Sequence, residues 1–211
     1  MSLARMVCLL LLAAFSAGLM ASQTKIYHFK VLLDDDEIGY HRFVVTPHNT
    51  FTYVNTEARF DVKFLFITAY SYLHSNSEVW QGDCLRTIQA TTDDNGEDLF
   101  VRGEYNEQRL VVHTPAGEQQ LEGCIRTFAY WDPELLNGTR LLNSQTGELV
   151  EVAIQRLGQS TIQVRGKPVK AQHYRIHNPE LSIDLWYSDK QEWLALESTT
   201  ENGARLRYLM Q

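Results

Sequence analysis

Residues 150–155 read Val150-Glu151-Val152-Ala153-Ile154-Gln155, and this stretch decides the predicted fold. Its branched apolar residues alternate with residues that are polar or small. Successive side chains of a β-strand point to opposite faces, so the alternation predicts one face turned inward and the other toward water. The stretch therefore indicates a half-buried β-strand.

The same period of two recurs at both ends of the chain. One early segment places four large residues on a single face: Tyr27, Phe29, Val31 and Leu33. A late segment does the same with three: Ile183, Leu185 and Tyr187. Between them, runs rich in β-favouring residues are interrupted by Asp, Asn and Gly, which is typical of successive strands.

Short turns separate the predicted strands, and Asn95-Gly96 and Asn202-Gly203 are the clearest hairpin signals because both residue types tolerate positive φ. Strands joined by short turns pair antiparallel, because a parallel crossover needs a longer connection. The sequence therefore predicts a mainly β fold, a strongly curved antiparallel sheet or open barrel with one short helix. The helix is predicted over residues 124–130, with a further candidate over 133–136 before Asn137-Gly138.

The first 21 residues have the pattern of a secretory signal peptide. Arg5 is the only charge before Lys25, and the residues between 6 and 18 are apolar or small, a run too short to span a bilayer comfortably. Cleavage after Ala21 is expected, with cleavage after Gly18 or an uncleaved anchor as alternatives. We therefore expect residues 22–211 to form a single β-rich domain in the periplasm or outside the cell, with no stable membrane span after cleavage.

The charge balance excludes two classes of partner. Removing residues 1–21 removes Arg5, which leaves 18 Lys and Arg against 26 Asp and Glu and a formal charge of −8. Nucleic acid binding needs a clustered excess of basic residues, and docking on anionic lipid headgroups needs the same. We expect neither partner, and no cofactor is indicated.

Two cysteines, Cys84 and Cys124, remain after removal of the predicted signal peptide, which takes Cys8 with it. An oxidising compartment would join them in a disulfide. A redox or metal pair has little support, since the sequence has no Cys-x-x-Cys and no His at ligand spacing from either cysteine.

Several motifs occur together along the chain. They are Phe128-Ala129-Tyr130-Trp131-Asp132-Pro133, Leu141-Leu142-Asn143 with Thr146-Gly147-Glu148-Leu149, Ile183-Asp184-Leu185-Trp186-Tyr187, Ile38-Gly39, Glu78-Val79-Trp80-Gln81-Gly82 and Thr92-Asp93-Asp94-Asn95-Gly96. In combination they resemble the exported bacterial family called domain of unknown function 6134, over nearly all of the mature chain. The last three are also similar to a related exported family of unknown function. The resemblance implies secretion and a β-rich domain, and it brings no activity or catalytic residue.

Catalytic and metal motifs are weak. The chain has no Gly-x-Ser-x-Gly elbow, and Ser22-Gln23-Thr24-Lys25 matches Ser-x-x-Lys only beside the cleavage site. Histidines in predicted strands share no motif and are interpreted as surface or half-buried residues: His28, His41, His113, His173 and His177. His74 and Glu78 have the ligand types for a metal but lack a second His, and Asn76 between two serines suggests a loop there. The acids around Asn95-Gly96 indicate a solvated hairpin tip rather than a calcium loop.

Aromatic residues supply the ligand-binding candidates: Tyr130, Trp131, Trp186 and Tyr187. Core packing is their ordinary role, but a curved sheet could leave a cavity that they line. The leading hypothesis is a non-enzymatic envelope protein that binds an apolar, lipid-like ligand or an envelope partner, with Trp131 or Trp186 reporting the arrival of the ligand. The alternative is an exported hydrolase acting on a cell-envelope sugar or ester.

Overall fold

The structure, a computed structural model, describes residues 23–64, 67–200 and 202–211. Within them the chain forms fifteen strands and one short 3₁₀ helix, Pro133–Asn137. The strands are β1 (Lys25–Leu33), β2 (Asp36–His48), β3 (Phe51–Phe64), β4 (Ile67–Gln81), β5 (Cys84–Asp94), β6 (Glu97–Asn106), β7 (Arg109–Thr114), β8 (Gly117–Glu122), β9 (Arg140–Leu142), β10 (Leu149–Glu151), β11 (Ala153–Val164), β12 (Lys167–His177), β13 (Ser182–Tyr187), β14 (Trp193–Thr199) and β15 (Arg205–Met210). The predicted signal peptide, residues 1–21, lies outside the described residues. No helix in the described ranges is long and apolar enough to cross a membrane.

Thirteen strands form one antiparallel sheet in the order β11-β12-β13-β14-β15-β1-β2-β3-β4-β5-β6-β7-β8. Nearly every neighbour in this order is also the next strand in sequence, as expected for strands joined by short turns. The exception is the pairing of β1 with β15, which sets Phe29 opposite Met210. Since β8 and β11 end the sheet without pairing, it does not close. The prediction of a mainly β chain with an open, curved antiparallel sheet is confirmed.

The alternating faces of the sheet are also confirmed. Phe29, Val31 and Leu185 are completely buried, and Tyr27, Ile183 and Tyr187 are nearly so. We call the face that carries these residues the inner face. Val152 is buried as well, and Val150 and Ile154 pack partly buried against the same core, so the pattern of residues 150–155 is realised across β10 and β11.

Residues 123–152, which we call the cover segment, pack on the inner face. They contain β9, β10 and the 3₁₀ helix, and Leu135, Leu141 and Leu142 join the core cluster of the sheet. The aromatic ring of Tyr130 lies 5.3 Å from that of Trp193 on β14. The cover segment therefore supplies the second layer of the protein.

The helix predicted over residues 124–130 is wrong, because this part of the cover segment is extended. The Leu85 amide donates to the carbonyl of Ile125, at 2.9 Å, and the Leu142 amide donates to that of Arg126, at 2.7 Å. These two carbonyls therefore accept hydrogen bonds from residues distant in sequence, and not from the amides of a helical turn. Thr127 also forms a parallel bridge with Leu142. The second helical candidate is confirmed as the 3₁₀ helix, whose first turn is capped by the Asp132 carboxylate accepting from the Glu134 amide.

The predicted disulfide between Cys84 and Cys124 is confirmed. Cys84 begins β5, and Cys124 lies in the second position of the cover segment. The bond therefore fixes the start of the cover segment to the sheet. Next to it, the Arg126 guanidinium forms an ion pair with the Asp83 carboxylate.

The predicted hairpin at Asn95-Gly96 joins β5 to β6, and both residues adopt positive φ, 53° and 93°. The Gly96 amide donates to the Asp93 carboxylate at 2.7 Å. The predicted hairpin is therefore confirmed, and Asp93 stabilises its turn. Asn202-Gly203 likewise lies in the turn between β14 and β15, where the Gly203 amide donates to the Thr200 carbonyl.

Replacing Gly39 with alanine should lower the free energy of unfolding by about 2–3 kcal/mol. Gly39 has a φ of +150°, and a Cβ added there would lie 1.9 Å from the backbone oxygen of Arg59 on β3. Gly158→Ala is the matched control, because its φ is +104° with open space around the added Cβ. Urea unfolding measures both. Equal losses in the two variants would show that the close approach to β3 is not what requires glycine.

Candidate functional site

The inner face of β4 carries polar side chains where a core would place apolar ones. Tyr72, His74, Asn76, Glu78 and Trp80 point inward, while the intervening Leu73 points outward and is 47% exposed. Burying polar groups costs free energy unless they are hydrogen-bonded. Inward polar residues on a long strand are therefore a departure from ordinary patterning, and such departures concentrate at functional sites.

A cavity of about 500 Å³ lies between this face and the cover segment. One wall is formed by inward side chains of β2, β3 and β4, and the opposite wall by residues 127–131 of the cover segment. The apolar part of the lining includes Phe43, Val150, Leu181 and Ile183. The volume lies within the range typical of small-molecule sites.

Glu78 is the most deeply held charged group in the cavity wall. Its side chain is 5% exposed, and its carboxylate accepts from the Asn76 amide at 2.9 Å and from the Trp80 indole at 2.8 Å. Burial raises the pKa of Glu78, and hydrogen bonds from Asn76, Trp80 and Thr127 oppose that rise. The carboxylate is thus fixed in place by three neighbouring donors.

Two histidines face the same cavity. His74 Nδ1 lies 2.8 Å from the Thr92 hydroxyl, and His41 Nδ1 lies 3.1 Å from the Tyr208 hydroxyl. Burial lowers the pKa of His74 to about 4. Burial, together with the nearby His74, lowers the pKa of His41 to about 3. Both rings are therefore neutral at pH 7.

Two buried atoms in the cavity wall have no hydrogen-bond partner among the described residues, His41 Nε2 and Asn76 Oδ1. The orientation of the Asn76 amide follows from its neighbour, because the Glu78 carboxylate can only accept and must face the NH₂ group. The free atom is therefore the carbonyl oxygen. Native interiors rarely leave such atoms unpaired, so each calls for a partner.

At the mouth of the cavity, polar side chains of the cover segment form hydrogen bonds with the sheet. The Tyr72 hydroxyl donates to the Gln145 side-chain oxygen at 3.2 Å, and the Gln145 amide donates to Asp94 at 3.0 Å. Burial raises the pKa of Tyr72, so this phenol stays protonated. Glu148 and Glu180 are exposed at the rim.

The family model described as domain of unknown function DUF6134 matches residues 29–211, which include nearly all of the sheet and the whole cavity wall. The chain belongs to the DUF6134 family. This confirms the resemblance carried by the sequence motifs. The family description gives no activity, so the site of this DUF6134 protein must be interpreted from its own residues.

A crystal structure of a beta-barrel-like protein of domain of unknown function DUF1849 from Brucella abortus is similar to the DUF6134 chain with a TM-score of 0.67. The match covers 89% of this chain and 95% of that chain at 13% sequence identity. At this identity the likeness shows the fold alone. No curated protein matches the sequence of this chain.

The four predicted ligand-binding aromatics do not share one site. Tyr130 and Trp131 line the cavity, and the rings of Trp131 and Trp80 pack edge to face with centroids 5.6 Å apart. Tyr187 is buried behind them, with its hydroxyl donating to the Tyr130 carbonyl. Trp186 lies on the outer face, stacked on His173 at 4.5 Å. Ligand binding by these residues stays a prediction, for which the structure brings together only Tyr130 and Trp131.

Sequence reasoning missed the polar half of the cavity. The predicted loop around Asn76 is wrong, because Asn76 lies inside β4 and pairs with Thr56 on β3 and Ala90 on β5. His41, interpreted as an ordinary strand histidine, does lie on a strand but faces the cavity. One pattern in the sequence could have indicated this polar half. Tyr, His, Asn, Glu and Trp occupy every second position from 72 to 80, which is the period of a β-strand and would place them on one face.

The residues do not assemble a metal site at this cavity. In the described ranges, the group of three potential ligands whose atoms approach one another is Asp83, Cys84 and Cys124. Its two sulfurs are already joined in the disulfide. His41, His74 and Glu78 are not close enough together to form such a group, so we derive no metal chemistry from them.

Acidification should destabilise the protein through His74. Its folded-state pKa of about 4 lies below the ordinary value of 6.5. Below pH 6.5 the unfolded chain therefore binds a proton at His74, whereas the native state stays unprotonated there until the pH approaches 4. The stabilisation is complete above pH 6.5 and is lost as the pH falls. From pH 6.5 to 5 the wild type should lose about 2 kcal/mol relative to His74→Gln.

Urea unfolding of both proteins between pH 5 and 8 tests this expectation. The raised pKa of Glu78 and the lowered pKa of His41 act in both proteins and largely cancel in the difference. A difference in unfolding free energy that does not change with pH would show that His74 is already protonated in the folded protein or is not buried there.

Proposed function

We propose that this protein is an exported, non-enzymatic binding protein that holds a small amphipathic molecule in the inner cavity. The observation that carries the proposal is the pair of buried, unpartnered atoms, His41 Nε2 and Asn76 Oδ1, in the wall of a cavity of about 500 Å³. A bound molecule could supply a hydrogen-bond partner to each. Such a pocket, with aromatic and apolar walls and a few placed polar groups, is the usual form of a small-molecule site.

The distribution of side chains suggests how the molecule lies. Phe43, Val150 and Ile183 supply apolar lining, and His74 and Asn76 supply polar lining. A wholly apolar lipid would leave the unpartnered polar atoms without hydrogen bonds, at a cost of roughly 1–3 kcal/mol for each buried group. The sequence-based hypothesis of a lipid-like ligand is therefore refined to an amphipathic molecule.

Export is part of the proposal and is supported by two independent features. Residues 1–21 have the composition of a signal peptide, and the chain contains a disulfide, which persists in oxidising compartments such as the periplasm. A binding protein of the envelope would meet both conditions.

A larger groove of about 690 Å³ lies on the outer face, but it supports a binding function less well. Its outward side chains include Arg42 and Arg102 together with Glu57 and Asp98, so no single ligand charge is favoured. Of the two residues with unpartnered atoms, Asn76 lines both spaces, whereas His41 lines the inner cavity and not the outer groove. We therefore place the binding site in the inner cavity.

Mass spectrometry of small molecules extracted from the protein tests the proposal. The full-length chain would be expressed with its own leader in a Gram-negative host and purified from the periplasm under native conditions. We expect an amphipathic molecule in the wild type and in Ser182→Trp, a substitution on an exposed part of β13. Ser144 lines the cavity, so Ser144→Trp should fill part of the cavity and abolish binding of the molecule. If circular dichroism shows all three proteins to be folded and all three yield the same extract, the inner cavity is not the binding site.

The alternative of a hydrolase for an envelope sugar or ester is favoured by His41, His74 and Glu78 lining one cavity, because perturbed titratable groups cluster in active sites. It is supported less well, since both oxygens of Glu78 already accept hydrogen bonds and His74 Nδ1 is engaged by Thr92. Hydrolysis of chromogenic short-chain esters or glycosides that is abolished by His74→Gln would favour the enzyme.

A further inference from the structure

We propose that the polar group received by the cavity is a protonated amine, carried on an apolar body, and not a carboxylate or a phosphate. This inference rests on the proposed binding function and names the class of ligand for the same cavity. Three features of the cavity wall support it independently: its charge, its unpaired acceptor and its aromatic surface.

The charge of the wall is negative. Three carboxylates line the cavity, Glu78 inside and Glu148 and Glu180 at the rim. Among the described residues that line it there is no Lys or Arg, and the lowered pKa values of His41 and His74 keep both rings neutral at pH 7. An anionic headgroup would find no cation here and would approach like charges, which disfavours binding.

The unpaired Asn76 oxygen selects a donor. Asn76 is 5% exposed, its NH₂ group is engaged by Glu78, and its Oδ1 has no partner in the described structure. A carbonyl oxygen can only accept a hydrogen bond. An ammonium group offers donors and no acceptor, whereas a carboxylate would place oxygen against oxygen.

The aromatic residues of the cavity wall suit a cation. Tyr72, Phe128, Tyr130 and Trp131 line the cavity with Glu148, and a cation over the face of an aromatic ring is stabilised by its quadrupole. Phe43 and Ile183, which line the same cavity, would contact the hydrocarbon. The wall thus matches both parts of an alkylamine.

Three ligands with the same chain and different headgroups separate the possibilities. Isothermal titration of the purified, delipidated protein at pH 7 would use decylamine, decanol and decanoate below their micellar concentrations. We expect decylamine to bind at least about tenfold more tightly than decanoate, with decanol between them. Glu148→Gln/Glu180→Gln should reduce that ratio by roughly three- to tenfold. Glu104→Gln/Glu122→Gln, exposed on β6 and β8, removes the same charge elsewhere and should leave the ratio unchanged.

The outcomes distinguish this inference from the function on which it rests. If decanoate binds as tightly as decylamine, or if the rim and control variants change the ratio equally, the amine is not what the cavity selects, while binding of amphipathic molecules stands. If none of the three ligands binds to folded protein, the proposed binding function fails and the inference fails with it.

Discussion

Replacing Trp193 with alanine should lower the free energy of unfolding by about 3–5 kcal/mol. Trp193 is fully buried, and its ring lies 4.2 Å from that of Phe29 and 5.2 Å from that of Phe43. It also packs against Tyr130 of the cover segment, so the deletion leaves a void between the two layers. Urea unfolding followed by circular dichroism measures the loss.

Trp186→Ala is the matched control for that deletion. Trp186 lies seven residues earlier on the outer face, where it is half-buried and donates to the Ser160 hydroxyl. A half-buried tryptophan has less contact to lose, and we expect a cost of roughly 1 kcal/mol. If Trp186→Ala lowers the free energy of unfolding as much as Trp193→Ala does, then Trp193 is not the central packing residue between the sheet and the cover segment.

Removing the disulfide with Cys84→Ser/Cys124→Ser should cost about 4 kcal/mol, because the bond closes a loop of 40 residues. The closed loop contains β5 to β8, and its far end begins the cover segment. Without the bond the unfolded chain gains freedom and the cover segment loses its attachment to β5. Thermal and urea unfolding of the oxidised wild type and the variant measure the difference.

The wild type under strong reductant supplies the control for the cysteine variant. It has the same sequence as the oxidised protein and should unfold like the double variant. Intact mass of the oxidised protein after alkylation should show no free thiol at Cys84 or Cys124. A variant as stable as the oxidised wild type would mean that residual structure or strain cancels the loop-closure effect.

The strands and turns could be predicted because they depend on local pattern. Phe29 and Val31 alternate with the polar residues His28 and Lys30, and Asn95-Gly96 supplies the positive φ values that the hairpin requires. Both signals depend on period and backbone geometry, which neighbouring residues determine. The sheet order then follows from consecutive hairpins, apart from the pairing of β1 with β15.

The cover segment and the cavity could not be predicted from local pattern. The carbonyls of Ile125 and Arg126 accept from Leu85 and Leu142 and not from amides four residues later, so distant residues determine the extended course of residues 124–130. The inward residues of β4 alternate with the period of a strand, but several of them are polar, so hydrophobicity does not mark this face as the inner one. Neighbours far apart in sequence, such as Tyr208 beside His41, determine whether such residues face solvent or a cavity.

A crystal structure with an ω-brominated decylamine tests the central claim most directly, because anomalous scattering locates the bromine without bias. We expect the bromine beside Val150 and Ile183, and the amine within hydrogen-bonding distance of Asn76 Oδ1. Ser144→Trp crystals treated identically are the control and should contain no ordered ligand in the cavity. An empty wild-type cavity at saturating ligand, or bromine bound only in the outer groove, would contradict the account.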